Sequence, residues 1–167
     1  MKYILILIFL IKPLTGLAEN KIGEITGKPL PRYVSLKSSE ANLRIGPNKD
    51  YPVIIKYTKK NIPLLVIDEF ELFGDQWRKV IDQHRNEGWI WRNLLSNKRY
   101  AVIKKTNSLY ADIFRKPNKK IIGKIGHGNI IKLSKCVNNW CRIKIDKHKG
   151  WIKKDNIWGV FDNEVFD

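Results

Sequence analysis

Two related stretches decide the fold of this chain: WRKVIDQHRNEGWI at 77–90 and WCRIKIDKHKGWI at 140–152. Each stretch joins a strand pattern led by Trp to a second one that reads Gly-Trp-Ile, with 12 residues from Trp to Trp in the first and 11 in the second. A unit that recurs after roughly sixty residues indicates two copies of one small β domain. We therefore expect function on the surfaces of small barrels, where binding is more common than catalysis.

Short apolar runs, separated by turn residues, extend this pattern over the rest of the chain. No long helical period competes with them, so the sequence predicts an all-β protein. A single helical turn is expected to close each copy, at 93–95 and at 155–157. The predicted strands are 33–37, 41–45, 53–57, 62–68, 77–81 and 87–91 in copy one, and 100–104, 108–111, 121–125, 129–133, 140–145 and 150–153 in copy two.

The first 18 residues have the features of a signal peptide, 1–18. Lys2 supplies the positive start, 3–11 the apolar stretch and 16–18 a small-residue cleavage pattern. The apolar stretch is short for a membrane span, and an uncleaved anchor helix is the alternative. We expect export, after which the polar segment 19–31 is predicted to be an N-terminal linker.

Positive charge is concentrated in the second copy. We assign domain 1 to 32–97, with 11 basic and 8 acidic side chains, and domain 2 to 98–158, with 17 basic and 3 acidic ones. An acidic C-terminal tail, 159–167, is expected to pack on domain 2. The net charge of +14 on domain 2 favours an anionic ligand. AT-rich coding is the alternative explanation, because the chain is rich in Lys, Asn and Ile together.

The two cysteines, Cys136 and Cys141, flank an Asn-Asn dipeptide at 138–139. Export would keep such a pair oxidised. Asn-Asn is typical of a hairpin turn, which would place the two Cys opposite each other on paired strands. We predict a disulfide, since a metal site would need further ligands and the histidines lack the spacing of zinc ligands. No metal or other cofactor is expected.

Alternation with a period of two sorts the side chains of the second Trp-led strand. One face carries Cys141, Ile143 and Ile145, and we assign it to the core. The opposite face, which we expect to point outward, carries Trp140, Arg142 and Lys144.

An outward indole beside a cation suits several ligands. The ring can stack on a sugar or pack against a peptide, while the cation binds a carboxylate or phosphate. Copy one repeats this arrangement, and Trp91 shares a face with Trp89 opposite Ile90. The alternative is that the rings cover the end of a barrel or form the contact between the copies. The predicted ligand-binding residues are Trp77, Lys79, Trp91, Trp140, Arg142 and Lys144.

Copy one also has an acidic, partly apolar insertion at 69–76, between its fourth and fifth strands. Copy two spans the same junction with the Cys hairpin. Loops on rigid scaffolds often determine partner specificity. We expect the insertion to cap the barrel or to contact copy two, and a docking loop is the alternative.

Several motifs resemble those of bacterial SH3-like (SH3b) domains. ANLRIGP at 41–47, followed by YPV at 51–53, is similar to their opening signature, and EGWI at 87–90 with NLL at 93–95 to their closing strand and helical turn. In copy two, SLY at 108–110 stands in place of Asn-Leu-Arg. The stretch from residue 31 onward resembles the exported, tandem-repeat members of the family.

The resemblance implies an all-β fold of two tandem small SH3-like half-open β-barrels, and a binding role in the periplasm or cell envelope. The implied partner is peptidoglycan or an envelope protein such as a cell-wall hydrolase. Relatives of the fold begin their binding strand with Trp, which implies a role for Trp77 and Trp140. The basic second domain favours an alternative partner, an anionic lipid surface or lipopolysaccharide. Export argues against nucleic acid.

The sequence argues against an enzyme. A Cys–His hydrolase requires a free thiol near a His, whereas Cys141 is expected to pair with Cys136. The chain shows no paired-carboxylate motif, Ser elbow, phosphate loop or His cluster.

Overall fold

The computed structural model describes residues 21–106 and 108–167. It shows a short N-terminal hairpin and two seven-stranded antiparallel sheets, which confirms the all-β prediction. The predicted signal peptide lies outside the described residues. Within the described part of the chain, no helix has the length and apolar character needed to cross a membrane.

The hairpin and the first sheet occupy residues 21–96. Their elements are β1 Lys21–Ile22, β2 Pro29–Leu30, β3 Arg32–Leu36, β4 Ala41–Arg44, β5 Val53–Tyr57, β6 Pro63–Leu72, β7 Asp75–Ile81, β8 Glu87–Trp91, a 3₁₀ turn Arg92–Leu94 and β9 Leu95–Ser96. The second sheet consists of β10 Tyr100–Ile103, β11 Tyr110–Phe114, β12 Ile121–Gly126, β13 Ile130–Val137, β14 Trp140–Ile145, β15 His148–Lys153, a 3₁₀ turn Lys154–Asn156 and β16 Ile157–Trp158.

The two sheets have the same topology. The first has the strand order β5-β4-β8-β7-β6-β3-β9 and the second β12-β11-β15-β14-β13-β10-β16. In each, a 3₁₀ turn directs the last strand back beside the first strand of the sheet. The repeat seen in the Trp-led stretches is therefore a repeat of the whole sheet.

Each sheet buries one face in an aliphatic core of its own. Alternating residues of a strand point to that face, as Leu64 and Val66 do in β6 and Ile143 with Cys141 in β14. The first core consists of Leu30, Val34, Leu36, Ala41, Leu43, Tyr57, Leu64, Val66, Val80 and Ile90. The second consists of Ala101, Ile103, Ala111, Ile131, Leu133, Cys136, Cys141, Ile143, Ile152, Ile157 and Val160.

The predicted disulfide is confirmed. Cys136 and Cys141 face each other in the register of β13 and β14, with their Cα atoms 4.1 Å apart. The turn between these strands is the Asn-Asn pair, and Asn138 has the positive φ that Asn tolerates there. Both cysteines are fully buried, which places the crosslink inside the second core.

The expected alignment of 108–110 with the Asn-Leu-Arg motif is wrong. Leu109 and Tyr110 are largely exposed, whereas the motif's Leu43 is fully buried. The counterpart of 41–44 is instead 111–114, because each of these segments has a bulge before its last residue and pairs through that residue with the Gly-Trp strand. Phe114 thus occupies the position that Arg44 has in domain 1.

Two segments predicted to be irregular are paired strands. The predicted linker contains the hairpin of β1 and β2, and its Leu30 packs in the first core. The insertion at 69–76 does not form a capping loop. It lengthens the β6–β7 hairpin, which turns at Phe73 and Gly74 with positive φ at both residues.

The C-terminal tail lies against domain 2. The backbone of Phe166 exchanges two hydrogen bonds with that of Cys136, at 2.8 and 3.1 Å. The buried ammonium of Lys154 donates to the carbonyls of Asp162 and Glu164 at 2.6 and 2.7 Å. Arg99 pairs with the carboxylate of Glu164.

A substitution at Gly88 tests how closely strand β8 packs against β4. A Cβ at this position would lie 2.6 Å from the carbonyl oxygen of Arg44 and 2.8 Å from the side chain of Leu43. We expect Gly88→Ala to lower the free energy of unfolding by about 1–3 kcal/mol in urea denaturation, because backbone and core must shift. Gly123→Ala is the control, since a Cβ there meets nothing within 4 Å. Equal effects of the two substitutions would contradict this packing.

Candidate functional site

The two Trp residues that begin β7 and β14 are not exposed. Trp77 is 3% and Trp140 is 7% exposed, so the prediction of outward, accessible indoles is wrong for both. The predicted alternation of faces agrees with the structure, because each ring lies outside the aliphatic cores on the outer side of its sheet. What the sequence did not reveal is that neighbouring side chains cover these rings.

In domain 2 the cover is Phe114 and Lys153. The ring of Phe114 packs edge-on against Trp140 with centroids 4.9 Å apart. Lys153 lies directly across the strand from Trp140 and holds its ammonium 5.7 Å from the indole centroid. This indole therefore stabilises the sheet and is closed to a large ligand.

In domain 1 the corresponding indole forms the floor of a groove. Trp91 stands where domain 2 has Lys153, directly across the strand from Trp77. Arg44 stands where domain 2 has Phe114. The result is an open concavity of about 460 Å³, which we call the domain-1 groove. It is lined by Glu40, Ala41, Asn42, Arg44, Lys49, Lys56, Trp77, Trp91 and Leu94.

The groove combines a half-buried aromatic ring with cations. The ammonium of Lys49 lies 5.3 Å from the centroid of Trp91. Lys56 pairs with Glu40 at 3.1 Å, and both side chains are more than half exposed. Arg44 donates to the carbonyl of Tyr51 at 2.7 Å, which fixes one end of its guanidinium at the groove wall. This arrangement can stack a sugar or peptide on the indole and bind a carboxylate beside it.

The other predicted site residues lie apart from this groove. Lys79 forms an ion pair with Glu87 at 2.6 Å on the outer face of the same sheet. Lys144 lies between Lys132 and Lys149 in the register of domain 2. The structure therefore joins Trp77 with Trp91 and separates both from Lys79.

Arg142 lies in a second concavity, which we call the basic cleft. The cleft has a volume of about 390 Å³ and places four cations around the half-buried ring of Trp151. Its charged residues are Arg115, Lys116, Arg142 and Lys149.

A family comparison agrees with the repeat. The family model described as "Bacterial SH3 domain" matches residues 37–97 and 112–159, more than half of the chain. The chain belongs to this family. The two matched segments fall in the two seven-stranded sheets.

Solved structures give weaker likenesses to this bacterial SH3 domain protein. "Endolysin LysPBC5 CBD" is 17% identical, with 75% of this chain and 90% of that chain covered and a TM-score of 0.31. "Structure of NlpC2 from Trichomonas vaginalis" is 13% identical, with 77% of this chain and 48% of that chain covered and a TM-score of 0.32. TM-scores this low support no argument about function. Comparison with curated proteins finds no match.

Sequence reasoning missed the cations of the groove and the aromatic ring of the cleft. Lys49 and Lys56 lie on loops and strands outside the Trp-led stretches, and the chain has too many lysines for either to stand out. Trp151 belongs to the repeated Gly-Trp-Ile stretch, but the sequence pattern predicts no site there. Trp151 occupies the same position in the repeat as Trp89, and Trp89 shares a strand face with Trp91. This correspondence was the sequence signal that could have indicated a site at Trp151.

The buried carboxylate of Glu69 organises the side of domain 1 that lies opposite the domain-1 groove. Glu69 Oε1 accepts hydrogen bonds from Thr26 Oγ1 at 2.7 Å and Arg32 Nη2 at 2.6 Å, and lies 3.4 Å from Arg78 Nε. Its Oε2 accepts the backbone N–H groups of Ile25 and Thr26. Burial alone would raise the pKa of Glu69, but these hydrogen bonds and the charge on Arg78 hold it below its usual value of 4.5.

Glu69→Gln tests this carboxylate. Because its pKa is lower in the folded than in the unfolded chain, Glu69 stabilises the fold above pH 4.5, and this contribution is lost as the pH falls through the folded value. We expect the variant to lose about 3 kcal/mol of unfolding free energy at pH 7, since Arg78 keeps a buried, unneutralised charge. The difference in unfolding free energy between the variant and the wild type should become smaller below pH 4.5.

The matched control is Glu40→Gln, which removes a carboxylate from an exposed ion pair. Its effect in urea denaturation should stay within about 0.5 kcal/mol. A Glu69→Gln variant as stable as this control at pH 7 would show that the buried cluster contributes nothing to stability.

Proposed function

We propose that this protein is a non-catalytic binding module of the cell envelope that recognises peptidoglycan, or a wall-associated protein, through the domain-1 groove. Membership of the bacterial SH3 domain family supports a binding role. The observation that carries the proposal is the groove itself, in which the half-buried indole of Trp91 lies beside Lys49, Lys56 and Arg44.

The chemistry of the groove suits a ligand that combines sugars with peptide carboxylates. The face of Trp91 offers a platform of the kind on which sugar rings stack. Lys49 and Arg44 offer positive charge to a carboxylate beside that platform. Glu40 adds a carboxylate that an amine of the ligand can pair with when Lys56 moves away, because both are exposed. Peptidoglycan presents all three groups, namely sugars, carboxylates and amines.

The cellular location follows from the same proposal. Export is inferred from the features of residues 1–18, and the disulfide of Cys136 with Cys141 is of the kind that persists in oxidising compartments. We therefore place the mature chain in the periplasm or cell envelope. We take domain 1 as 32–97 and domain 2 as 98–158, with the hairpin at 21–30 attached to domain 1.

Trp91→Ala is the direct test of the groove. We expect it to reduce retention of the purified protein on isolated sacculi about tenfold, because loss of a stacking aromatic ring costs roughly 1–3 kcal/mol in comparable stacked contacts. Co-sedimentation at moderate salt measures the retained fraction. Sacculi should be prepared both with their attached proteins and after protease and detergent treatment.

Trp89→Ala is the control, since Trp89 lies two residues away on the same face and packs against Phe70 outside the groove. Retention on stripped sacculi identifies peptidoglycan as the ligand, and retention only on untreated sacculi identifies a wall-associated protein. If neither preparation retains the wild-type protein, or if Trp89→Ala weakens retention as much as Trp91→Ala, the proposal fails.

The basic cleft favours a second candidate function, binding of polyanions such as lipid head groups or lipopolysaccharide by domain 2. Four cations surround Trp151 there. Near the cleft, Lys132, Lys144 and Lys149 lie side by side across three strands. Neighbouring like charges on a sheet destabilise it, and a bound polyanion would offset that repulsion.

Binding to vesicles of phosphatidylglycerol tests this second function. The double substitution Arg142→Gln with Lys149→Gln should weaken binding about tenfold at low salt, since it removes two charges from the cleft. Lys59→Gln with Lys60→Gln removes the same charge from domain 1 and should leave binding within about twofold. Equal losses would mean that net charge alone attracts the protein, and no binding to these vesicles would exclude phospholipid head groups as the ligand of the cleft.

A further inference from the structure

Another cavity lies on domain 1, beside the groove but on the opposite side of the strand. Arg78 lines this cavity and its neighbour Trp77 lines the groove, because successive residues of a strand point to opposite faces. The cavity has a volume of about 430 Å³, within the range of small-molecule sites. Its cationic residues are Lys28, Arg32, Lys37, Arg78 and Arg92.

The two deepest cations are held in place by Glu69. The side chain of Arg78 is 3% exposed and that of Arg32 is 17% exposed, and both pair with this carboxylate. Arg78 also donates to the carbonyl of Trp77 at 2.8 Å. The remaining cations, at the rim, are exposed. The guanidinium groups of Arg32 and Arg78 thus form a preorganised pair at the bottom of the cavity. Long, exposed cationic side chains surround its opening.

The positive charge of this cavity is only partly neutralised. Nε and Nη1 of Arg32 have no hydrogen-bond partner among the described residues, and they are shielded from water. Burial is the main cause that lowers the pKa of Arg78, and the charges on Arg32 and Arg92 lower it further against the opposing effect of Glu69. A bound oxyanion would relieve this repulsion, and a small rotation of Arg32 would let the oxyanion accept its free N–H groups.

We propose that this cavity binds a multiply charged oxyanion, of the phosphomonoester or pyrophosphate class. Guanidinium groups match the geometry of phosphate oxygens through paired hydrogen bonds. A single carboxylate ligand would neutralise one of the charges in the cavity, whereas a phosphate monoester or diphosphate neutralises two or more. This site is additional to the groove, and its ligand is independent of peptidoglycan.

Isothermal titration calorimetry with inorganic pyrophosphate, and separately with glycerol 3-phosphate, tests the proposal on the full mature chain. We expect saturable binding at low salt that Arg92→Gln weakens about tenfold, because it removes one charge-assisted contact at the rim. Tighter binding of pyrophosphate assigns the site to diphosphate groups, and tighter binding of glycerol 3-phosphate assigns it to phosphate esters. In ¹⁵N spectra the Nε–H signal of Arg32 should shift on binding.

Lys60→Gln is the charge-matched control, since Lys60 is exposed and lies outside the cavity. It should change the affinity less than twofold. Arg92 is exposed at the start of the 3₁₀ turn, so its variant should fold normally, which circular dichroism verifies. The proposal is overturned if neither probe shows saturable binding, if the control weakens binding as much as Arg92→Gln, or if the Arg32 signal does not move. None of these readouts depends on sacculi.

Discussion

Each sheet of this protein can bury only one of its two faces, and that constraint determines where its functional surfaces lie. The inner faces hold two separate aliphatic cores. Tryptophans and cations are left on the outer faces, where only neighbouring side chains can cover an indole. Buried charges such as Glu69 are exceptions, because a charge on the inner side of β6 requires the guanidinium groups of Arg32 and Arg78 beside it.

The two domains use one framework for different surfaces. At two equivalent outer positions, domain 1 has Arg44 and Trp91 where domain 2 has Phe114 and Lys153. In domain 2 the aromatic ring of Phe114 packs on the buried indole of Trp140. In domain 1 the equivalent indole, Trp77, is also buried, and the partly accessible Trp91 beside it lines a groove. The two domains therefore present different concavities, an aromatic groove on domain 1 and a basic cleft on domain 2.

Much of the fold could be predicted from the sequence, because strand alternation and turn residues are local signals. β5, β8 and β14 begin and end at the predicted residues, and the hairpin of Cys136 and Cys141 follows from its Asn-Asn turn. The candidate site could be predicted less well from the sequence. Whether Trp140 is exposed depends on Phe114, a residue 26 positions away whose partner is fixed by a bulge. Burial of an outward-facing indole by a side chain from another strand depends on tertiary contacts, which period-two alternation does not predict.

The most direct measurement is an NMR titration of the six tryptophan indole N–H signals with peptidoglycan fragments released by a muramidase. The account predicts a saturable shift of the Trp91 signal and a smaller one for Trp77 beneath it. The signals of Trp151 and Trp158 should stay in place. Shifts confined to domain 2, or no shift at saturating fragment, would contradict recognition of peptidoglycan by the domain-1 groove.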